Sequence, residues 1–189
     1  EAGHAGATPM DMRKDALVAA AQIVQAVQRI GRRRDPYGRG TVGIMRVSPG
    51  SPNVVPDEVF FTVDIRHPEA DVMTEMDGEL RAAAEEASRN HGTPVHVKET
   101  WYSPPVAFDK GCVSAVREAA EALGYSHMDV VSGAGHDAVY MARVTPTTMI
   151  FAPCEKGISH NEAENCKPED LTAACDVLFH AVLERADAK

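Results

Sequence analysis

Apolar residues recur at Leu17, Ala20, Val24, Val27 and Ile30, the spacing of one face of a helix. Thr8-Pro9-Met10-Asp11 stands ahead of them as a start signal. Thr8 is placed to cap, Pro9 suits a first helical position, and Asp11 closes a capping box. The basic run Arg32 to Arg34 marks the end, where cations complement the helix dipole. Residues 41–47 read as a strand, followed by the turn Ser48-Pro49-Gly50-Ser51-Pro52. The period then becomes two. Val59, Phe61, Val63 and Ile65 alternate with Glu58, Phe60, Thr62, Asp64 and Arg66, which predicts a strand with one apolar face. Arg66 falls on the face away from the core. Pro68 opens a second helix, with Met73, Met76, Leu80, Ala83 and Ala87 as its stripe and Gly92 just past its end. Residues 94–101 are predicted as a further strand, with Val95, Val97 and Trp101 on one side.

The order is therefore helix, strand, strand, helix, strand. One more strand ahead of residue 1 would complete a β-α-β-β-α-β unit, the ferredoxin-like pattern. Ser103-Pro104-Pro105 reads as a linker, dividing the chain into residues 1–103 and 106–189. Beyond it the pattern predicts a helix over 110–123 ending at Gly124, a strand over 128–132, a helix over 136–143 and a strand over 147–152. A long loop from Pro153 to Lys167 and a last helix carrying Leu171, Ala174, Leu178 and Val182 follow. Alternating helices and short apolar strands indicate part of a layered α/β domain with an incomplete sheet. The predicted class is α/β, an α+β unit followed by an α/β part.

Charge narrows the partners. The chain has 189 residues and a formal net charge of −9, with 19 Lys plus Arg against 28 Asp plus Glu. That balance argues against nucleic acid and anionic membrane, both of which need an electropositive face. No apolar run reaches the roughly 18 residues of a membrane span, and no basic-then-apolar leader pattern is present. Four cysteines without paired spacing read as reduced thiols of a cytoplasmic protein.

Four places could carry chemistry. His160, in Gly157-Ile158-Ser159-His160-Asn161-Glu162, lies in a loop after an apolar strand, where α/β sheets usually hold their sites. It could bind a metal or be a solvated loop histidine. Ser132-Gly133-Ala134-Gly135-His136-Asp137-Ala138 combines small residues with a helix start, so a ligand could approach the backbone closely. It could equally be a tight turn with a capping Asp. His4, between small residues in Gly3-His4-Ala5-Gly6, could donate to an oxyanion or lie in a plain loop. Arg66, considered together with Asn53, could clamp a carboxylate bidentately or pair with Asp64 or Glu69. A zinc tetrad of Cys154, His160, Cys166 and Cys175 is disfavoured, because no C-x-x-C pair occurs and Cys175 falls within a helix, on its apolar side. No cysteine is flanked by a base that would make it a nucleophile.

In combination these segments resemble one family. His4-Ala5-Gly6-Ala7-Thr8-Pro9-Met10, with Arg13, Asp15 and Ala16, is similar to the HAGTTPM-x-x-R-x-DA motif of the metal-dependent amidohydrolase branch of the M20 metallopeptidase clan. Asn53-Val54-Val55-Pro56 through Asp64-Ile65-Arg66 resembles its NVIPGEV…DIR segment, with Asp57 where the family usually has Gly. Gly133 to Ala138, and Ser159-His160-Asn161 with Glu164, resemble two further signatures. The branch holds N-carbamoyl-L-amino-acid hydrolases, β-ureidopropionases and allantoate amidohydrolases.

The resemblance implies a zinc-peptidase-like α/β catalytic domain interrupted by a ferredoxin-like lid or dimerisation domain. Residues 1–103 would be that lid without its first strand, and 106–189 the C-terminal part of the catalytic domain. His4 and His136 are the implied catalytic residues, His4 reaching into the partner subunit's site and His136 lining the substrate pocket. Asn53, Arg66 and Gly135 are the implied substrate-binding residues, with Asn53 and Arg66 on the substrate carboxylate. His160 is the implied metal ligand. Two divalent ions, with zinc, manganese or nickel compatible, would polarise the scissile carbonyl and activate water. Their remaining ligands and the general base would lie upstream of residue 1. The implied reaction is hydrolysis of a linear amide or ureido C–N bond in a homodimer built through the lid. The competing readings are an aminoacylase or exopeptidase of the same clan, and a non-catalytic dimerisation module.

Overall fold

A computed structural model of the chain describes residues 1–187. It mixes helix and sheet and falls into two compact units, one over Glu1–Pro105 and one from Val106 onward.

The first unit is built on a long hairpin. Strand β2 (Arg39–Ser48) pairs antiparallel with β4 (Glu58–Arg66), from Arg39 opposite Arg66 to Ser48 opposite Glu58, with an irregularity between Val42 and Ile44. The alternation of β4 is realised. Val63, Phe61 and Ile65 pack on the core, while Glu58, Phe60, Asp64 and Arg66 are exposed. Helices α1 (Ala16–Arg32) and α2 (Ala70–His91) supply that core through Ile23, Val27, Ile30, Met76, Leu80, Ala84 and Ala87. Gly92 closes α2 in the left-handed conformation, where a Cβ would be strained. At one place α1 meets β2 with no side chain between them. A Cβ on Gly40 would come 2.5 Å from the Val27 carbonyl oxygen, and one on Gly31 2.8 Å from the Gly40 nitrogen.

Two features depart from the expected local pattern. The start of α1 is set by Asp15, whose Oδ1 accepts from the Leu17 and Val18 amides at 2.9 and 3.3 Å. Thr8-Pro9 instead precedes a short 3-10 turn, Met10–Met12. A carboxylate that takes two amides at the positive end of a helix outcompetes a hydroxyl seven residues earlier. The stripe shifts accordingly, with Ala16, Ala19 and Ile23 buried and Leu17 at the surface. Residues 94–101 do not form a strand among the described residues, although Val95 still packs on the core. An extended segment becomes a strand only when a neighbour accepts and donates its backbone hydrogen bonds.

The second unit packs α3 (Lys110–Ala122) on α5 (Pro168–Asp187) through Ala115, Ala119, Ala120, Val177 and Ala181. Asp109 caps α3 by accepting from the Cys112 amide at 2.8 Å. The Tyr125 hydroxyl donates to Asp176 at 2.8 Å and ties the end of α3 to α5. Between them α4 covers only Asp137–Met141. Residues 128–132 and 147–152 carry no strand pairing, for the same reason as 94–101. On α5 the buried positions are Val177 and Ala181, while Leu171, Leu178 and Val182 are exposed. Cys175, expected on the apolar side, is exposed too.

Met76 is fully buried at the centre of the first core. Met76→Ala should destabilise that unit by about 2–5 kcal/mol, and Asp15→Ala by about 1 kcal/mol. Urea unfolding of both variants checks the ranking; equal effects would contradict it.

Candidate functional site

His4 and Asn53 lie together. Strand β1 (Gly3–His4) pairs antiparallel with β3 (Val54–Val55), setting Gly3 opposite Val55 and His4 opposite Val54. The Ala5 amide donates to the Asn53 carbonyl at 2.8 Å. The small residues after His4 allow a tight reversal in which the His4 carbonyl accepts from the Ala7 and Thr8 amides. The same turn aims two amides at the ring: His4 Nδ1 accepts from Gly6 at 3.0 Å and Ala7 at 3.1 Å. A neutral imidazole has one acceptor and one donor nitrogen. With Nδ1 accepting, the proton sits on Nε2, and the exposed ring is a hydrogen-bond donor. Arg13 staples the turn by donating to the Ala5 and Thr8 carbonyls. It belongs to the motif, yet the sequence alone suggested no role for it. The Asn53 side chain accepts from the Ser51 hydroxyl at 2.8 Å.

Arg66 ends β4 with Asp64 beside it on the open face. Nε donates to Asp64 Oδ1 at 2.8 Å and Nη2 to Oδ2 at 2.7 Å, a bidentate pair. Of the two carboxylates the sequence offered, Asp64 is the one engaged in this pair. The guanidinium holds the Asp64 carboxyl below its ordinary range, so the pair persists through neutral pH and is lost only as pH falls through that lowered value. Both side chains are about half exposed, so the pair adds little stability. Its main effect is to orient the guanidinium.

The two groups sit at opposite ends of one strand. The Asn53 end is tied to the start of β4, with the Asp57 amide on the Ser48 carbonyl and the Ala16 amide on the Pro56 carbonyl, both at 3.1 Å. Arg66 is at the finish, opposite Arg39. From Glu58 to Arg66 the strand rises about 26 Å. Helix α1, with 17 residues, spans a similar distance of about 25 Å beside it. By these lengths the turn carrying His4 and Asn53 lies about a strand length from Arg66 within the first unit.

In the second unit His136 stands at the N-terminal boundary of α4, half-buried. Its Nε2 lies 3.0 Å from the Ser132 hydroxyl, which also accepts from the Ala134 amide. The ring meets Phe151 edge-on, with centroids 5.6 Å apart. Asp137 sits in the first turn of α4, and the N-cap position is held by His136, which makes no side-chain cap bond. A Cβ on Gly135 would meet nothing within 4 Å, so packing inside this unit does not demand glycine there.

His160 is exposed on its loop with φ 55°, a left-handed backbone that few residues other than glycine adopt. The Glu164 carboxylate secures it by accepting from the His160 amide at 2.8 Å. The Asn161 side chain accepts from the Ala163 amide at 2.9 Å and closes the turn. As a metal ligand His160 offers one donor. No group of three His, Cys, Asp or Glu that could hold an ion occurs among the described residues, whereas a catalytic ion takes about three protein ligands. These residues do not make a metal centre by themselves.

Comparison with known proteins gives the setting. A family model described as peptidase family M20/M25/M40 matches residues 4–184. An N-carbamoyl-L-amino-acid amidohydrolase of Rhizobium meliloti is 48% identical over 97% of this chain and 44% of its own length. A ureidoglycolate hydrolase of Oryza sativa subsp. japonica is 35% identical over 95% of this chain and 38% of its own. The crystal structure of an amidase of the hydantoinase/carbamoylase family from Burkholderia multivorans superposes with a TM-score of 0.94 at 52% identity, covering 98% of this chain and 45% of that one. The chain thus spans less than half the length of these relatives. Its motifs at His4, Asn53 to Arg66, Gly133 to Ala138 and His160 fall within the matched region, and the chain belongs to the peptidase M20/M25/M40 family.

Proposed function

We propose that a full-length protein carrying this chain hydrolyses the C–N bond of a 2-ureido carboxylate, with N-carbamoyl-L-amino acids as the first candidates. The names of the relatives support the class. N-carbamoyl amino acids and ureidoglycolate both carry a carbamoylated nitrogen on the carbon that bears the carboxylate. The observation that carries the reading is how the two exposed polar groups are held. His4 is fixed by two amides as an Nε2 donor, and Arg66 is oriented by Asp64. A donor of that kind suits the oxyanion of an acyl-transfer transition state. An oriented guanidinium suits a carboxylate.

In this proposal residues 1–103 form the lid and dimerisation domain, completed as a ferredoxin-like unit by one further strand, and 106–189 belong to the catalytic domain. His136 lines the substrate pocket and Gly135 leaves room for the substrate beside the backbone. His160 contributes one ligand to a two-metal centre whose other ligands come from outside the chain. Two copies pair through their lids, because His4 and Asn53 lie a strand length from Arg66. His4 and Asn53 of one copy then serve the site that Arg66 of the other copy serves.

Four measurements test this. In a panel of N-carbamoyl, N-acyl and dipeptide substrates, the full-length protein should turn over the N-carbamoyl compounds best. Preference for N-acyl compounds or dipeptides would make it an aminoacylase or exopeptidase, and no turnover a dimerisation module. Arg66→Ala should lower kcat/KM about 10- to 100-fold for substrates with the carboxylate, the weight of a charge-assisted contact. The two-copy arrangement predicts complementation. Full-length His4→Ala and Arg66→Ala proteins, each impaired, should recover about a quarter of the unsubstituted activity when their subunits are randomly exchanged. No recovery would mean that both groups act within one subunit. For the 189-residue chain alone, zinc titration by calorimetry should show no tight stoichiometric site; a tight site would contradict the single-ligand role of His160.

A further inference from the structure

The loop from Pro153 to Lys167 is closed at its base by one pair of residues, Cys154 and Cys166, which oppose each other in an isolated antiparallel bridge. The Glu155 amide donates to the Asn165 carbonyl at 2.7 Å. This bond lies one residue inside the pair, so Cys154 and Cys166 occupy a non-hydrogen-bonded position. There Cα atoms approach to about 4.5 Å and side chains lie closest. A disulfide spans Cα separations of about 4.4–6.8 Å, a range that includes the typical spacing of such a pair. Both cysteines are half-buried and reduced, and the Cys166 thiol makes only a weak contact, 3.7 Å to the Lys167 carbonyl. The other two cysteines lie on helices, Cys112 on α3 and Cys175 on α5.

We propose that Cys154 and Cys166 form a reversible disulfide that pins the base of the loop carrying His160. The oxidant is a small-molecule disulfide such as oxidised glutathione. One cysteine thiolate attacks it, a mixed disulfide forms, and one glutathione thiolate leaves. The second cysteine thiolate attacks the protein sulfur of that mixed disulfide. The Cys154–Cys166 bond forms and the second glutathione thiolate leaves. Two protein thiols are oxidised, one disulfide is reduced to two thiols, and the cysteines' two protons pass to the glutathiones. Burial pushes the Cys166 thiol up, so exchange is faster in mildly alkaline buffer. The pinned loop bears on the metal only through the reading of His160 as a ligand; the bond itself does not depend on that reading.

The test uses the 189-residue chain with Cys112→Ser and Cys175→Ser, equilibrated in glutathione buffers of rising oxidised fraction, acid-quenched, alkylated and digested with trypsin. Trypsin cuts after Lys156, between the two cysteines, while Lys167 is followed by Pro168 and resists. The expected result is a cross-linked species, two hydrogen masses below the sum of its two fragments. It should escape alkylation and separate on reduction. Adding Cys154→Ser or Cys166→Ser should leave a lasting glutathione adduct on the remaining cysteine. Alkylation of both thiols at every ratio would overturn the proposal, as would stable glutathione adducts on the unsubstituted pair. Equal cross-linking in strong urea would also overturn it, since the bridge would then play no part. No readout involves a metal, so failure here leaves the role of His160 untouched.

Discussion

The pairing of β4 with β2 along its whole length governs the first unit. Strict alternation on β4 sends Phe61, Val63 and Ile65 into the core and leaves Asp64 and Arg66 together on the other face. Because the side-chain period is two, a slip of one residue would bury the ion pair and expose the apolar row. Register therefore fixes both the packing and the polar pair. Arg66 ends β4, whereas the turn of His4 pairs with β3, in the segment that leads into the start of β4.

Much of this was legible from local pattern. Helices α1, α2, α3 and α5, the hairpin, and the αL glycine after α2 all follow from periodicity and end signals. What was not legible is non-local or competitive. Segments 94–101, 128–132 and 147–152 have strand-like sequences but no paired neighbour among the described residues. At α1 two valid caps compete, and only the structure shows that Asp15 engages the amides. The apolar row expected on α5 is displaced, because the small residues of α3 pack on Val177 and Ala181.

The site divides the same way. The motif histidines and Arg66 could be named from their neighbours in sequence, but which nearby atoms hold them depends on how each turn folds. Arg13 acts through two carbonyls, Ser132 through a ring nitrogen, and Glu164 through a backbone amide. The tautomer of His4 follows from two amides that no spacing rule predicts. Likewise the bridge between Cys154 and Cys166 depends on how the loop folds back, and their separation in sequence gives no hint of it.

The glycine seam between α1 and β2 has a mechanical consequence. Elsewhere a layer of side chains cushions helix against sheet and can adjust its rotamers under load. At Gly31 and Gly40 backbone rests directly on backbone, leaving nothing compressible. The N-terminus of α1 is bonded beside the His4 turn, and the seam lies next to Arg39, which faces Arg66. A push at one extremity of the unit should thus arrive at the other with little slack, as through a stiff lever.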